Sequence, residues 1–204
     1  MTAKSPIINY FRKRKTLCED EIIFLNQVFE EKTFKENEIV LKKGEICNYI
    51  FFIEKGILKT YFINDLGKEA INGIAIENNF CSSISSFINQ TPSSENIKAL
   101  EETRLIYINF RNFKLLIGKF PVYKEIYIKI LEDYLTFTTW RLESVMLMDS
   151  RERYNTLMEV FPKLFLKISN KDMAEYMGMS PETLSRIKSK KKESAESLGV
   201  GVFD

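Results

Sequence analysis

The segment from Ser169 to Lys190 holds residue types that read DNA bases, at spacings that would place them on one side of a helix. Glu182 and Arg186 are four residues apart and would therefore share a helical face. An arginine can bond O6 and N7 of guanine together, and a glutamate can accept from the amino group of cytosine. The predicted DNA-binding residues are Ser180, Glu182, Thr183, Ser185, Arg186, Lys188 and Lys190.

The same segment predicts two short helices joined by a tight turn. The first would run over 170–177, with Ser169 or Asn170 as its N-cap. Gly178 would end it in the left-handed conformation. The second would begin at Ser180-Pro181-Glu182, where serine caps the helix and proline fits its first position. The residues predicted to face inward are Met173, Ala174, Met177, Leu184 and Ile187. This arrangement is a helix-turn-helix with its second helix in the recognition position.

An ordinary helical hairpin with a solvated polar side would show the same spacing, and in it Arg186 would simply pair with Glu182. Charge favours the DNA-binding interpretation. Between Lys163 and Lys192 there are eight basic residues and three acidic ones, whereas the whole chain has a net charge of only +2. Basic residues are therefore concentrated where contacts with phosphate groups would be needed.

Composition excludes several classes of protein. The chain has 204 residues, enough for one sizeable domain or two small ones. It has no histidine, which excludes Ser-His and Cys-His catalysis and histidine-ligated zinc or haem. Its three cysteines, Cys18, Cys47 and Cys81, are widely separated, so we expect reduced thiols and no metal site or other cofactor. No glycine-rich phosphate loop is present, and an enzyme is not expected.

The hydropathy pattern gives no sign of a membrane partner. No apolar run approaches the roughly 18 residues of a membrane span. The start, MTAKSPIINYFRKRK, lacks the apolar segment of a signal peptide, so we expect a cytoplasmic protein. The basic run 12–15 is either a solvated face or a second phosphate-contacting patch.

Residues 32–108 are typical of short β-strands separated by turns. The runs 49–53 and 57–63 are rich in β-branched and aromatic residues and flank Glu54-Lys55-Gly56. Further strands are predicted at 69–76, 95–100 and 103–108, with helices over 20–30 and 110–119. The predicted fold class is α+β, with an antiparallel, jelly-roll-like β-roll in the N-terminal part.

The segment 121–148 contains no glycine, and no proline after Pro121, and it predicts one long helix. Two apolar rows run along it with alternating spacings of three and four residues. A surface helix needs only one such row, so two rows predict two partners: the β-domain and the same helix of a second subunit. The alternative is a helix buried on two sides within one subunit. The row assigned to dimerisation contains Tyr127, Leu131, Tyr134, Thr138 and Val145.

These parts, in this order, resemble the Crp/Fnr family of bacterial transcription regulators. The stretches Lys43-Gly44-Glu45, 49–56 and Asp65-Leu66-Gly67-Lys68-Glu69 resemble the β-roll signatures of that family. The segment 149–165, followed by the helix-turn-helix, is similar to its DNA-binding end. The resemblance covers about residues 20–190 and implies a homodimer in which a cyclic-nucleotide-binding-type β-roll is coupled to double-stranded DNA.

The resemblance also implies a division of the chain. We expect N-terminal helices and a β-roll over 1–118, a dimerisation helix over 119–148, a helix-turn-helix domain over 149–192 and a flexible tail over 193–204. Family members usually carry a two-stranded wing after the recognition helix. Here the remaining sequence, ESAESLGVGVFD, is too short and irregular to predict one. The lysines from Lys188 to Lys192 would supply some of the missing phosphate contacts.

A second departure from the family concerns its nucleotide pocket. Nucleotide-binding members hold the ribose with a Gly-Glu pair and the cyclic phosphate with an arginine. Here Cys81-Ser82 stands at the first position and Ser93 or Ser94 at the second. Because a buried phosphate would lack its cation, we expect no tight binding of cyclic AMP or cyclic GMP. The serines Ser82, Ser83, Ser93 and Ser94 would line a pocket for another small polar effector or form a plain loop.

The predicted function is a homodimeric transcription regulator. The spacing of Glu182, Ser185 and Arg186 resembles Fnr-type readers, which implies a TTGA-like half-site. One alternative is a ligand-binding β-roll protein whose helical end makes protein contacts. A small catalytic barrel is another, but it would need a metal or carboxylate cluster that the sequence does not supply.

Overall fold

The computed structural model describes residues 5–197, and the predicted strands of the N-terminal part are present. Within that range the strands are β1 (Phe29–Phe34), β2 (Ile39–Leu41), β3 (Tyr49–Lys55), β4 (Ile57–Ile63), β5 (Glu69–Ile76), β6 (Phe80–Cys81), β7 (Asn96–Ala99) and β8 (Thr103–Asn109). They form two four-stranded antiparallel sheets, with orders β1-β8-β3-β6 and β2-β7-β4-β5. The β-roll prediction is confirmed.

Most of these pairings join strands that are distant in sequence. β1 pairs with β8 from Phe29 opposite Ile108 to Phe34 opposite Thr103. β7 pairs with both β2 and β4, and so closes the second sheet. Within the described range, only β4 and β5 form a tight hairpin. In its turn the Asn64 side chain accepts from the backbone N–H of Lys68 at 2.9 Å.

One apolar core lies between the sheets and under the helices that cover them. Those helices are α1 (Ser5–Arg12), α2 (Glu19–Val28), α3 (Ile84–Asn89) and α4 (Phe110–Lys119). Tyr10 of α1 packs edge-to-face on Phe52, which is fully buried, at 5.5 Å between ring centroids. Phe87 of α3 packs on Phe113 of α4 at 5.6 Å. Burial of such side chains stabilises the domain by roughly 1.5–3 kcal/mol each.

The N-terminal helices differ in detail from the prediction. α2 ends at Val28, earlier than the predicted residue 30, because Phe29 already pairs with β8. The bounds of α1 were not predicted, although N-terminal helices were expected. In the basic run that follows it, Arg14 covers the ring of Tyr10 and Lys15 contacts the carboxylate of Glu21.

The C-terminal part is helical. It contains α5 (Val122–Leu147), α6 (Ser150–Val160), α7 (Pro162–Lys167), α8 (Asn170–Tyr176) and α9 (Pro181–Ser197). The chain divides into two compact units between Leu131 and Glu132, inside α5, so that each unit contains part of the long helix. No helix among the described residues is long and apolar enough to cross a membrane.

The last helix is longer than predicted. α9 continues through 193–197, which were assigned to a flexible tail, since no glycine or proline interrupts the sequence before Gly199. The remainder of that predicted tail, 198–204, lies outside the described residues. In the range that the structure does cover, no strand follows β8.

We expect Gly56→Ala to lower the free energy of unfolding by roughly 2 kcal/mol or more. Gly56 has φ of +102°, and an added Cβ would lie 2.4 Å from Thr103 Oγ1 and 2.7 Å from Thr103 Cα. Chemical denaturation measures the change. Gly118→Ala in α4 is the control, because a Cβ there meets nothing within 4 Å and alanine favours the helix by about 1 kcal/mol. Equal losses in both variants would contradict the close approach at Gly56.

Candidate nucleic-acid interface and small-molecule pocket

The residues predicted to read DNA lie on α9, the second helix of a helix-turn-helix. Ser169 caps α8, its Oγ accepting from the backbone N–H of Asp172 at 3.0 Å. Gly178 follows α8 with φ of +66°, which is the left-handed conformation expected of it. Ser180 caps α9, its Oγ accepting from the N–H of Thr183 at 3.1 Å. Gly178 and the Ser180 hydrogen bond thus set the turn between the helices, and Ser169 sets the start of α8.

Apolar side chains hold α9 against α8. Met173, Ala174, Met177 and Leu184 are each at most 2% exposed, and Ile187 is half-buried. All five were predicted to face inward. Because packing holds this side of α9, its opposite side is presented to solvent in a defined orientation.

The exposed side of α9 carries Glu182, Ser185, Arg186 and Ser189. Ser189 was not among the predicted residues, although its position seven residues after Glu182 was sufficient to find it. The pKa of Glu182 lies below its ordinary value, because the carboxylate accepts from its own backbone N–H and from the Ser180 hydroxyl. Among the described residues no ion pair joins Glu182 to Arg186. The Arg186 guanidinium is therefore not held by the nearby acid.

Two lysines of α9 turn back towards neighbouring helices. Lys188 Nζ donates to Asn170 Oδ1 at the start of α8, and loss of solvent lowers the pKa of Lys188. Lys191 Nζ donates to Asn155 Oδ1 on α6 at 3.2 Å. The prediction of Lys188 as an outward-facing cation therefore differs from the structure, because α8 lies within reach of it. Lys190 is exposed, as predicted.

The predicted dimerisation residues of α5 differ from one another in their surroundings. Tyr127 packs on Phe113 of α4 at 4.8 Å between ring centroids and belongs to the core of the first unit. Tyr134 and Val145 are exposed, by 46% and 45%. Thr138 is also exposed, and its hydroxyl donates to the carbonyl of Tyr134 at 2.8 Å.

The exposed apolar residues of α5 form a different row. Leu135 is 65% exposed and Leu142 is 60% exposed, seven residues further on. Together with Ile128, these leucines repeat every seven residues. The predicted residues Leu131, Thr138 and Val145 each lie three residues after one of them. The complete row, called the α5 seam below, is Ile128, Leu131, Leu135, Thr138, Leu142 and Val145. Its spacings alternate between three and four residues, as in a coiled coil.

The serines of the predicted pocket largely bond to one another and to the backbone. Ser93 Oγ donates to Ser83 Oγ at 2.9 Å and also lies 2.8 Å from the carbonyl of Glu95, and both serines are buried. Ser82 Oγ donates to the carbonyl of Tyr49 at 2.9 Å. Ser94 is exposed and does not join them. The segment predicted as a pocket or loop contains α3, a feature that the sequence analysis missed.

A carboxylate lies in the same cluster. Glu95 is 8% exposed and accepts from Asn72 Nδ2 at 2.9 Å. Burial raises the pKa of Cys81 strongly, and the charge of Glu95 and the neighbouring Cys47 raise it further. Glu95 is thus close to Cys81, where the family would hold the ribose of a nucleotide. No local pattern predicts this, because Asn72 of β5 meets Glu95 only when β5 and β7 join the same sheet.

Comparisons with known proteins agree with this architecture. Residues 31–119 match the family model of the cyclic nucleotide-binding domain. The anaerobic regulatory protein of Pasteurella multocida is 24% identical over 184 residues, which are 84% of this chain and 67% of that protein. The fumarate and nitrate reduction regulatory protein of Vibrio cholerae is 22% identical over 187 residues, covering 84% and 73% of the two chains. The solved structure of FixK2 from Bradyrhizobium japonicum covers 87% of this chain and 89% of its own, with a TM-score of 0.74 and 15% identity.

Proposed function

Since the chain contains a cyclic nucleotide-binding domain and is a homologue of Crp/Fnr-type regulators, we propose that it is a homodimeric, DNA-binding transcription regulator of the cytoplasm. The observation that carries this proposal is the exposed side of α9. It displays Glu182 and Arg186 on a helix-turn-helix whose other side is buried. The two relatives compared above are regulatory proteins by name.

In this proposal α9 enters the major groove and reads bases with its exposed side. Arg186 bonds guanine O6 and N7, and Glu182 accepts from a cytosine amino group. Ser185 and Ser189 lie beside them and contact base edges or phosphates. Lys190 contacts phosphates, whereas Lys188 and Lys191 mainly hold α9 on α8 and α6. A two-fold dimer would meet two half-sites about one helical turn, or roughly 34 Å, apart.

Arg186→Ala should cost roughly 1–3 kcal/mol of binding free energy and relax the preference at one base pair. The comparison variant, Lys190→Ala, should weaken binding to every sequence and make the affinity for DNA depend less steeply on salt concentration. Fluorescence anisotropy with TTGA-containing palindromes and their single-base variants, at several salt concentrations, separates the two effects. If both variants lost affinity uniformly across sequences, Arg186 would not read a base.

The α5 seam supports dimerisation through a pair of α5 helices. Leu135 and Leu142 expose more than half of their surface in one protomer, and a second seam would cover them. Thr138 is the polar member of the row, but its hydroxyl is already bonded within its own helix and can be buried at low cost. Leu131 and Val145 complete the alternation that a two-helix coil requires.

The double variant Leu135→Glu/Leu142→Glu should convert the dimer into a monomer, because two like charges would face their copies across the seam. Sedimentation equilibrium over a range of protein concentrations measures this. Leu166→Glu is the matched control, since Leu166 is 86% exposed on α7 and lies off the seam. A double variant that sedimented as the unchanged protein does would contradict dimerisation through α5.

The β-domain in this proposal does not take a cyclic nucleotide. Ser83 and Ser93 bond each other, and serines stand at 93 and 94, where the resemblance would place the arginine that pairs with the cyclic phosphate. Absence of a charge-assisted pair alone removes roughly 1.5–3 kcal/mol of binding free energy. Any effector of this domain would therefore be of another chemical class.

Isothermal titration calorimetry with cyclic AMP and cyclic GMP should show no saturable binding up to about 1 mM, which corresponds to a binding free energy weaker than about 4 kcal/mol. A cyclic-AMP-binding regulator titrated in the same buffer serves as the positive control. Micromolar affinity for either nucleotide would overturn the proposed loss of the pocket.

A second candidate function is a β-roll protein whose helical end binds another protein. It is favoured by the hydrogen bonds of Lys188 and Lys191 to Asn170 and Asn155, which hold two cations of α9 on neighbouring helices of the same protomer. The anisotropy measurement distinguishes the two functions. A protein that ignored all duplexes at low salt, yet remained folded and dimeric, would support the second.

A further inference from the structure

One buried cation ties the end of α5 to the start of the next helix. Arg153, on the second turn of α6, is only 8% exposed. Its Nη1 lies 2.9 Å from the carbonyl oxygen of Ser144, 3.3 Å from that of Val145 and 3.2 Å from that of Met148. Ser144 and Val145 lie in the last turn of α5, which ends at Leu147, and Met148 directly follows it.

The chemistry of a helix end explains this placement. The final carbonyls of a helix have no partner within it and form the negative end of its dipole. A guanidinium supplies both hydrogen bonds and the opposite charge. Removing Arg153 from water is costly, so its position depends on all three acceptors remaining in place. The buried cation and the end of α5 therefore stabilise one another.

The chain between the two helices is very short. α5 ends at Leu147 and α6 begins at Ser150. Asp149 caps α6 by accepting from the backbone N–H of Arg151 at 2.7 Å and of Glu152 at 2.9 Å. Since the cap starts α6 directly after Met148, the angle between the helices depends on few backbone torsions and on Arg153.

Other contacts join the same stretch of α5 to the rest of the second unit. The ring of Phe137 lies 5.1 Å from that of Phe161, which directly follows α6. The guanidinium of Arg141 lies 4.8 Å from the ring centroid of Tyr176 on α8. These contacts are consistent with the grouping of the end of α5 and the helix-turn-helix in one compact unit.

We propose that Arg153 is a positioning residue for DNA binding. It holds α6, and with it the helix-turn-helix, at a set angle to α5, so that the seam between two α5 helices determines the spacing of the two recognition helices. Val145 makes the link directly, because its side chain belongs to the α5 seam and its carbonyl accepts from Arg153. This inference rests on the proposed dimeric regulator.

The first test measures the angle without dimer or DNA. Spin labels are placed at the exposed positions Glu143 of α5 and Lys171 of α8, by Glu143→Cys and Lys171→Cys in a full-length Cys18→Ser background, since Cys47 and Cys81 are buried. Dilution with unlabelled protein leaves only distances within one chain. The parent should give a narrow distance distribution and Arg153→Met a clearly broader one. Arg153→Lys should restore much of the narrowness, because an ammonium can donate to the same three carbonyls.

The second test measures whether the angle between α5 and α6 affects the choice of DNA site. Palindromes with the preferred half-site spacing are compared with palindromes carrying one or two extra central base pairs. The parent should prefer the correct spacing by roughly tenfold or more. Arg153→Met should lower this ratio to within about threefold while its affinity for one isolated half-site stays within about twofold of the parent's. A role in stability alone would leave the spacing ratio of the folded protein unchanged.

Each of these results either supports the positioning role of Arg153 or contradicts it. An unchanged distance distribution in folded Arg153→Met would show that Arg153 does not set the angle, and an unchanged spacing ratio with a broadened distribution would show that the angle does not govern recognition. If Arg153→Met does not fold, both measurements are made on Arg153→Lys. We then expect a distance distribution and a spacing ratio between those of the parent and those expected of Arg153→Met. A parent protein that binds no palindrome would contradict the proposed function, while the distance measurement would still report on Arg153.

Discussion

The constraint on which this structure depends is that α5 carries apolar side chains around most of its circumference. Near its start, Tyr123 and Tyr127 are used in the core of the β-domain. Further along, Phe137 stacks on Trp140 and meets Phe161 inside the second unit. The α5 seam is left, and nothing in one described protomer covers Leu135 or Leu142 beyond half of their surface. One helix thus contributes to two cores and, in the proposed dimer, to a third.

The helix-turn-helix was predictable because its determinants are local. Ser169 and Ser180 cap the helix that each precedes, and Gly178 supplies a conformation that other residues rarely adopt. The inward residues follow from helical periodicity alone. The direction of Lys188 was not predictable in this way, because it depends on Asn170, eighteen residues earlier in the chain and adjacent only after folding.

The complete α5 seam and the contacts of the serine cluster could not be predicted from the sequence. Overlapping rows with spacings of three and four can be drawn along α5, and only the folded structure shows that Tyr127 of the predicted row packs on Phe113 while Leu135 and Leu142 remain exposed. In the β-roll, strands could be located from their composition, but the pairs Asn72–Glu95 and Ser83–Ser93 depend on non-local folding. The helix α3 was missed because it is only six residues long and its two serines and final asparagine are typical of turns as well.

The inward bonds of Lys188 and Lys191 have a consequence for how such a regulator would find its targets. Every lysine that neutralises a phosphate strengthens attachment to any stretch of duplex, whatever its sequence. A chromosome offers an immense excess of such stretches, and a protein held on them is not available to its operators. Because Asn170 and Asn155 are neutral amides, both lysines keep their charge, but each bond holds the ammonium in one place and so limits the phosphates that it can reach. On random DNA fewer positions would then set a phosphate against them, and base contacts would carry more of the preference for the correct site.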